Sequence, residues 1–405
     1  MSQRTSRTSR TAAAVVAAAT AAALAVASTP AVADGPSPAY TFEWPSPVEP
    51  GTYSDEFKDA NDNGDSVSEL VVGDYEHGGP VRVHAELWTA DGLTRRLPPL
   101  PGDIFGRPAG LNNSRTVVGT SVPSSGSPAH AVRWTSYDTP AELLPLPGDT
   151  AASPTAISDN GTAVGTSGTA TSTHAVAWPP SGTPVALPPL PGDTESAAVA
   201  VNSTGTAVGY SYGAGGITTQ RAVAWSPDGT VTALAVPAGY LSSNATRITD
   251  SGIVIGRGRP GGPPVAGHAL VWNAAGTVAD LGPGSTANAV NSTGTVVGGQ
   301  SGQAARWTVD GTPQPLAPTA LEGVATDIND QGVTIGYTSD PPPARAQHYA
   351  QLWNADGTLT TLPVWHPSFP YSVPSAITDG GLIVGARVLR GNANYGKPLL
   401  MRWRP

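Results

Sequence analysis

The chain contains no cysteine, only four phenylalanines and two methionines, and charged residues make up just 13% of its 405 positions. The lack of cysteine excludes disulfide bonds and a cysteine nucleophile, but a chain of this length buries a sizeable core without covalent cross-links. Glycine (48), proline (41) and tryptophan (10) are abundant instead. This turn-rich, strand-friendly composition predicts an all-β fold.

Hydrophobic runs long enough to cross a membrane are also lacking. Residues 12–27 form an alanine-rich segment that is shorter than the ~20 residues a spanning helix requires. This segment follows three arginines and ends near Ala33-Asp34 in a small-residue cleavage pattern. We therefore expect a signal peptide at 1–33 rather than the alternative, a membrane anchor, and one secreted, extracellular domain at 34–405.

Positive charge is scarce, with 21 basic against 30 acidic residues and a formal charge of −9. Cleavage after Ala33 would remove three arginines and no acidic residue, and so bring the charge to −12. This balance argues against nucleic acid and anionic membranes as partners. We expect an extracellular polysaccharide or protein as the partner, and a monomer.

The most informative feature is an internal repeat. VNSTGTAVG at 201–209 returns as VNSTGTVVG at 290–298, and related boxes occupy 157–165, 248–256, 328–336 and 377–385. Residues 111–119 are a variant with Arg115 in the first glycine position, and residues 60–73 read as an expanded copy. A second pattern, such as HAVRW at 130–134, follows each box and ends in tryptophan in all eight copies.

The pairing of His-Ala-x-x-Trp with Asn-x-x-Gly-x-x-Val-Gly resembles the HAF repeat family of bacterial extracellular proteins, over roughly residues 54–403. This chain departs from that pattern, since Glu, Val or Leu replaces Phe at the third position and half of the copies lack the histidine. The resemblance implies an extracellular repeat protein and supplies no chemical activity.

Each repeat reads as four short strands, here named A to D, joined by tight Asn- and Gly-containing turns. Such units of about 45 residues are typical of β-propeller blades, because a lone sheet cannot bury both faces. The sequence therefore predicts an all-β propeller of about eight four-stranded antiparallel blades. The last unit lacks a strand D, and we expect residues 39–50 to pair with it and close the ring. A parallel β-solenoid is the alternative fold.

Motifs that resemble catalytic or cofactor sites are better explained by the repeat. Gly209-Tyr210-Ser211-Tyr212-Gly213 matches a nucleophile elbow in spelling but ends a strand B, and prolines after 259 prevent the helix that a dinucleotide fingerprint at 256–261 requires. The recurring histidines fit a structural role beside tryptophan. We therefore assign no catalytic residue. The histidines are His84, His130, His174 and His268.

Calcium is the one cofactor that the sequence suggests. Residues 59–65 (DANDNGD) spell the first half of an EF-type loop, with oxygen-bearing side chains at alternate positions and glycine at the sixth. Leu70 stands where the closing glutamate belongs, although Glu69 is adjacent. The alternative is that the repeat itself demands these residues. The candidate ligands are Asp59, Asn61, Asn63, Asp65 and Glu69.

Departures from the repeat are the best candidates for a binding site. In a four-strand meander the B–C and D–A loops share one face, where loop length and composition vary most. Pro-Leu-Pro-Gly-Asp recurs there three times and places Asp103, Asp149 and Asp193 at successive blade junctions. The alternative is a set of solvated turn carboxylates.

Two long loops near the C-terminus, at 365–371 and 387–398, belong to the same face. Aromatic rings beside arginine suit stacking and hydrogen bonding to sugars. The alternative is that these rings pack their own loops down. The candidate ligand-binding residues are Trp365, His366, Phe369, Tyr371, Arg387, Arg390 and Tyr395.

These observations favour a secreted, non-enzymatic propeller that binds its ligand through variable loops on one face. The rival hypothesis is a propeller-type glycan hydrolase or lyase, which would draw carboxylates from several blades around the channel. A structural surface protein without a ligand is the third possibility.

Overall fold

The computed structural model describes residues 40–43, 52–73, 81–124, 127–262, 266–319, 321–339, 348–363, 372–387 and 399–405. Its strands form eight four-stranded antiparallel sheets. Each sheet packs on the next around a ring, which is a β-propeller and confirms the predicted fold. Apart from one 3-10 turn at Gly216–Thr219, the described regular structure is all strand.

Blades 1 to 8 follow the order of the chain. Blade 1 contains β2 Thr52–Ala60, β3 Ser66–Gly73, β4 Val81–Trp88 and β5 Thr94–Leu97, and blade 2 contains β6 Phe105–Leu111, β7 Val117–Val122, β8 His130–Ser136 and β9 Thr139–Leu143. Blade 3 contains β10 Ala151–Ile157, β11 Ala163–Gly168, β12 Thr173–Trp178 and β13 Val185–Leu187, and blade 4 contains β14 Glu195–Val201, β15 Ala207–Tyr212, β16 Arg221–Trp225 and β17 Val231–Ala233. Blade 5 contains β18 Tyr240–Ile248, β19 Val254–Pro260, β20 His268–Trp272 and β21 Val278–Pro283, and blade 6 contains β22 Thr286–Val290, β23 Val296–Gln300, β24 Gln303–Trp307 and β25 Pro313–Gln314. Blade 7 contains β26 Glu322–Ile328, β27 Thr334–Ser339, β28 His348–Trp353 and β29 Leu359–Thr361. Blade 8 contains β30 Ser372–Ile377, β31 Ile383–Arg387 and β32 Leu399–Arg404, and β1 Thr41–Glu43 completes it.

Strand A of each blade lies innermost, because strands A of neighbouring blades contact one another around the ring. Strand D lies outermost and is largely exposed, as in Thr94–Leu97, where only the last residue is buried. The A–B hairpins and C–D turns therefore form one face of the ring, here called the A–B face. The B–C and D–A loops form the other, here called the D–A face.

The recurring box folds as the predicted tight turn. In blade 4 the Asn202 side-chain oxygen accepts the Thr206 backbone N–H at 2.9 Å, and Gly205 adopts φ 86°. A side chain on Cβ is strained at this positive φ, which is why glycine recurs there. Arg115 is an exception, with φ 63° in the same position of blade 2.

The tryptophans that end strand C form the cores between blades. All eight are at most 3% exposed, and Trp134 packs with Val67, Ala85 and Leu97 of the preceding blade. The indole N–H of Trp134 donates to the Pro98 carbonyl of that blade at 2.8 Å. The indole therefore contributes both apolar area and a satisfied hydrogen bond to the junction between blades.

The first A–B hairpin is not expanded, contrary to the sequence-based expectation. Its connection spans residues 61–65, as long as 158–162 in blade 3, and Ser68 pairs with Phe57 where the repeat has glycine. The Ser68 hydroxyl accepts the Trp88 indole N–H at 2.8 Å. The expected expansion arises from the sequence pattern alone, since Ser68 replaces the final glycine of the box and the next glycine is Gly73.

Ring closure follows the prediction for the N-terminal stretch. Strand β1 pairs antiparallel with β32, with Phe42 opposite Trp403. Arg402 then clasps blade 1, where its guanidinium donates to the Thr89 carbonyl at 3.0 Å and the Trp88 carbonyl at 3.1 Å. Arg133 makes the same clasp from blade 2 to blade 3, at 2.9 Å to the Trp178 carbonyl.

We predict that Arg402→Ala destabilises the protein by about 2 to 4 kcal/mol, since it leaves buried carbonyls without donors. Arg133→Ala is the matched control, because it removes an equivalent clasp away from the closure. Hydrogen exchange should show faster exchange of the β1 and β32 amides only in Arg402→Ala. Equal β1 and β32 protection in the two variants would contradict a closing role for Arg402.

Candidate functional site

The three Pro-Leu-Pro-Gly-Asp turns are locked onto the blade that follows them. Asp149 accepts a hydrogen bond from the Ser167 hydroxyl at 2.6 Å and contacts His174 Nδ1 at 3.0 Å. Asp103 is held by Ser121 and His130 at the same two distances. Each serine hydroxyl also accepts a backbone N–H of its turn, as Ser167 does from Leu146 at 2.9 Å.

The third lock, in blade 4, replaces histidine with arginine. Asp193 binds the Ser211 hydroxyl at 2.6 Å and Arg221 Nη2 at 2.8 Å. Ser211 is the serine of the elbow-like spelling, and its hydroxyl is engaged by this carboxylate and by the Leu190 N–H.

These aspartate, histidine and serine side chains do not form a catalytic triad. In a triad the histidine stands between serine and aspartate and takes the serine proton. Here serine and histidine both bind the carboxylate, as Ser121 and His130 bind Asp103. The arrangement therefore fixes the D–A loops, which explains the strand C histidines of blades 2 and 3. Ligand binding by the three aspartates stays a prediction.

The candidate calcium residues sit in the first A–B hairpin with most of their oxygens engaged by protein donors. Asp59 accepts the Leu111 N–H at 2.9 Å, and Glu69 lies 3.6 Å from Lys58 Nζ on the strand. Asn63 points its amide at the Asn113 carbonyl, at 2.7 Å. The described residues contain no group of three or more acidic or histidine side chains placed to share a metal ion. Calcium binding stays a prediction.

Asp65 has a partner that the sequence does not reveal. Its buried carboxylate receives Arg115 Nε at 2.8 Å, the Asn61 amide at 3.1 Å and the Ala90 N–H at 3.0 Å. Both residues depart from the repeat, since threonine is usual at the first position and glycine at the second. The Asp65–Arg115 pair therefore joins blades 1 and 2 by two matched departures.

The asparagine that opens the box also links neighbouring blades, a role the sequence analysis missed. The Asn202 amide donates to the Thr249 carbonyl of the next turn at 3.1 Å. Four further amides do the same at 3.0 to 3.2 Å, and belong to Asn61, Asn112, Asn291 and Asn329. The A–B mouth of the channel is therefore tied by hydrogen bonds that run around the ring.

Aspartates crowd this same mouth. The second residue of the turn accepts a backbone N–H from the preceding turn where it is aspartate, as Asp159 does from Asn113 at 2.8 Å. Burial raises the pKa of Asp159, and the charges of Asp62 and Asp250 add to the rise against hydrogen bonds from Asn113. Five of the eight positions carry aspartate, namely Asp62, Asp159, Asp250, Asp330 and Asp379.

A cavity of about 400 Å³ opens in the channel wall along blades 5 to 8. Each strand A has a register shift that inserts one extra residue, and in blades 6 to 8 that residue lines the cavity. Such bulges redirect a side chain out of the pleat. The three are Asn288, Thr326 and Ser375.

The rest of the cavity wall combines apolar and cationic groups. Val324, Val373 and Pro374 give an apolar surface, and the Tyr337 ring, which packs edge-on against His348 at 4.6 Å between centroids, adds an aromatic one. Arg247 and Arg257 supply positive charge. Thr286, Val324 and Val373 come early in their strands A, which begin at the D–A loops. The cavity therefore lies toward the D–A face.

None of these cavity residues was chosen from the sequence. The signal was present in the repeat alignment, because Arg247 stands where five other blades have glycine or alanine and two have aspartate, at Asp59 and Asp327. The five small residues are Gly110, Ala156, Ala200, Ala289 and Ala376. Without the bulge positions, the sequence could not show that Arg247 and Arg257 meet at one cavity.

The long-loop candidates cannot be placed. Trp365, His366, Phe369, Tyr371, Arg390 and Tyr395 lie outside the described residues, as do the signal segment and its Ala33–Asp34 cleavage point. Arg387 ends β31, opposite Leu399 and Ser372. In the described part of the chain, no helix combines the length and apolarity needed to span a bilayer.

Comparison with known proteins finds only distant structural similarity. No family model matches the chain, and no curated protein matches it in sequence. It is similar to the acylaminoacyl peptidase of Pyrococcus horikoshii, with 11% identity and a TM-score of 0.46 over 84% of this chain and 58% of the peptidase. The chain thus spans little more than half the length of that protein.

Two further solved structures are similar over nearly their whole length. The β-propeller domain of the trilobed protease of Pyrococcus furiosus has 10% identity and a TM-score of 0.48, over 78% of this chain and 99% of that one. The virginiamycin B lyase of Staphylococcus aureus has 10% identity and a TM-score of 0.42, over 90% and 99%. Likeness at this level carries no activity across, and the resemblance to the HAF repeat family stays a prediction.

We predict that Arg115→Gly costs about 1 to 3 kcal/mol of stability, because it removes the cationic partner of the buried Asp65 carboxylate. Adding Asp65→Thr restores the usual residues of the repeat and should recover most of the loss. Urea unfolding of both single variants and the double variant measures this coupling. Additive losses would contradict it.

A calcium-dependent rise in Tm that Asp65→Thr abolishes would instead support the calcium hypothesis.

We predict that Asp159→Asn gains stability relative to the wild type as the pH rises through and above the ordinary pKa of aspartate. A raised folded-state pKa means that the unfolded chain loses its proton first, so the wild-type carboxyl destabilises the fold as pH rises. Asp228→Asn is the control of opposite sign, since backbone and side-chain hydrogen bonds from Thr230 lower the pKa of Asp228. Chemical unfolding across pH measures both, and parallel trends would refute the assignment.

Proposed function

We propose that the protein is a secreted binding protein that holds an extracellular carbohydrate at the D–A mouth of its channel and leaves it chemically unchanged. The observation that carries this proposal is the cavity of about 400 Å³ in the wall of blades 5 to 8. Its volume falls within the usual range for small-ligand sites. An aromatic ring, an amide and hydroxyl groups around an apolar surface suit a sugar, which has both polar edges and apolar faces.

The opposite mouth is less suited to this role. Its turns are tied to one another by asparagine amides, and its polar groups serve neighbouring blades. The D–A face combines the cavity with loops of varied length on locked bases, which is the usual relation between a rigid scaffold and a binding surface. Binding of a protein in place of a carbohydrate is one outcome of the test below.

The rival hydrolase hypothesis draws less support from the cavity. A glycosidase needs two carboxyl groups flanking the scissile bond. Among the described residues, those that line the cavity are arginine, threonine, asparagine, serine, tyrosine, valine and proline, without aspartate or glutamate. Asp327 lies nearby in β26 and accepts the Ile377 N–H at 2.9 Å from its buried position.

We predict that Ser375→Trp abolishes glycan binding, because the indole fills the cavity from the bulge of blade 8. Val199→Trp is the matched control, since it places the same ring at the same repeat position across the channel. A glycan array with wild type and both variants gives the binding, and mass spectrometry of the recovered glycan tests whether it is altered.

Glycan binding that Ser375→Trp removes and Val199→Trp keeps supports the proposal. Binding that survives Ser375→Trp, binding of proteins alone, or release of cleaved sugar would overturn it.

A further inference from the structure

The two arginines of the cavity wall are departures from the repeat within a single blade. Arg247 lies on strand A of blade 5 opposite Ile255, and Arg257 lies on strand B opposite Asn244. At the position of Arg257 six other blades carry uncharged residues, such as Thr120, Thr166 and Tyr337, and blade 1 carries Glu69. Blade 5 therefore places two cations where the ring otherwise has none.

Arg257 brings a positive charge to this wall that no acidic residue among the described lining residues matches. The described lining residues include both arginines and no carboxylate. Arg257 is exposed to the cavity and forms no ion pair among the described residues. The Arg257 guanidinium, set in a concavity of a chain with net charge −9, creates a local site of opposite sign to the whole.

The opposite wall limits what kind of anion fits. Val324, Val373 and Tyr337 form an apolar and aromatic surface, while the Asn288 amide and Thr326 hydroxyl are held by the Ala325 and Pro374 carbonyls at 2.8 and 3.1 Å. A ligand must therefore offer an apolar face to one side and a planar anion to the other. The guanidinium fork matches a carboxylate in two parallel hydrogen bonds.

We propose that the ligand of this cavity is a sugar acid, with its carboxylate on Arg257 and its ring face against Tyr337. This inference rests on the proposed carbohydrate-binding function and names its substrate class. The sugar acid is either a free uronate or a residue of an acidic polysaccharide, and both offer the same carboxylate.

The test uses isothermal titration of the full mature chain with glucuronate, with glucose as the neutral counterpart, and with a galacturonate oligomer. We expect glucuronate or the oligomer to bind and glucose to bind at least about tenfold more weakly. Arg257→Ala should weaken binding of the acid by about tenfold to a hundredfold. Arg259→Ala, an exposed arginine on the same strand outside the cavity, should leave it unchanged.

Binding of the monomer identifies a free uronate as sufficient, and binding of the oligomer alone identifies the polysaccharide; both support the inference. Equal affinity for glucose and glucuronate, no binding of either acid, or an unchanged affinity in Arg257→Ala would overturn it. If neutral glycans bind and Ser375→Trp removes them, the proposed function stands while this inference fails.

Discussion

Each blade depends on its neighbours, because a four-stranded sheet with two apolar faces cannot be stable alone. The contacts between blades therefore govern the structure. A buried tryptophan closes each core, and asparagine amides carry hydrogen bonds from one A–B turn to the next. The tryptophan recurs at all eight junctions and the asparagine amide link at five of them, and the ring gains a rigid channel from their repetition.

The rigidity of the channel is what allows a binding site to arise from few changes. A bulge in each strand A turns one side chain toward the axis, and the residue at that point is free to vary without disturbing the core. Blades 6 to 8 present asparagine, threonine and serine there, while blade 5 adds two arginines beside them. The locked D–A turns precede blades 2 to 4, on the part of this mouth away from the cavity.

The sequence predicted the ring, the blade number and the closure because these follow from periodic patterns, as Trp403 and residues 39–50 show. It predicted the turn role of Asn202 but not its reach to Thr249, since a contact between blades depends on their separation in space. The prediction of an expanded first hairpin was wrong because Ser68 replaces the glycine of the box, where its hydroxyl accepts the Trp88 indole N–H. The cavity escaped notice because bulges, not spacing, bring Arg247, Asn288 and Ser375 to one wall.

In this interpretation the recurring residues form the ring of blades, and the irregular residues of blades 5 to 8 bind the ligand. Hydrogen–deuterium exchange with and without saturating glucuronate tests it most directly. We expect glucuronate to slow exchange in the inner strands β18, β22, β26 and β30 and in β19, and to leave exchange in the A–B turns unchanged. Protection centred on the A–B turns, or on blades 2 to 4, would contradict it.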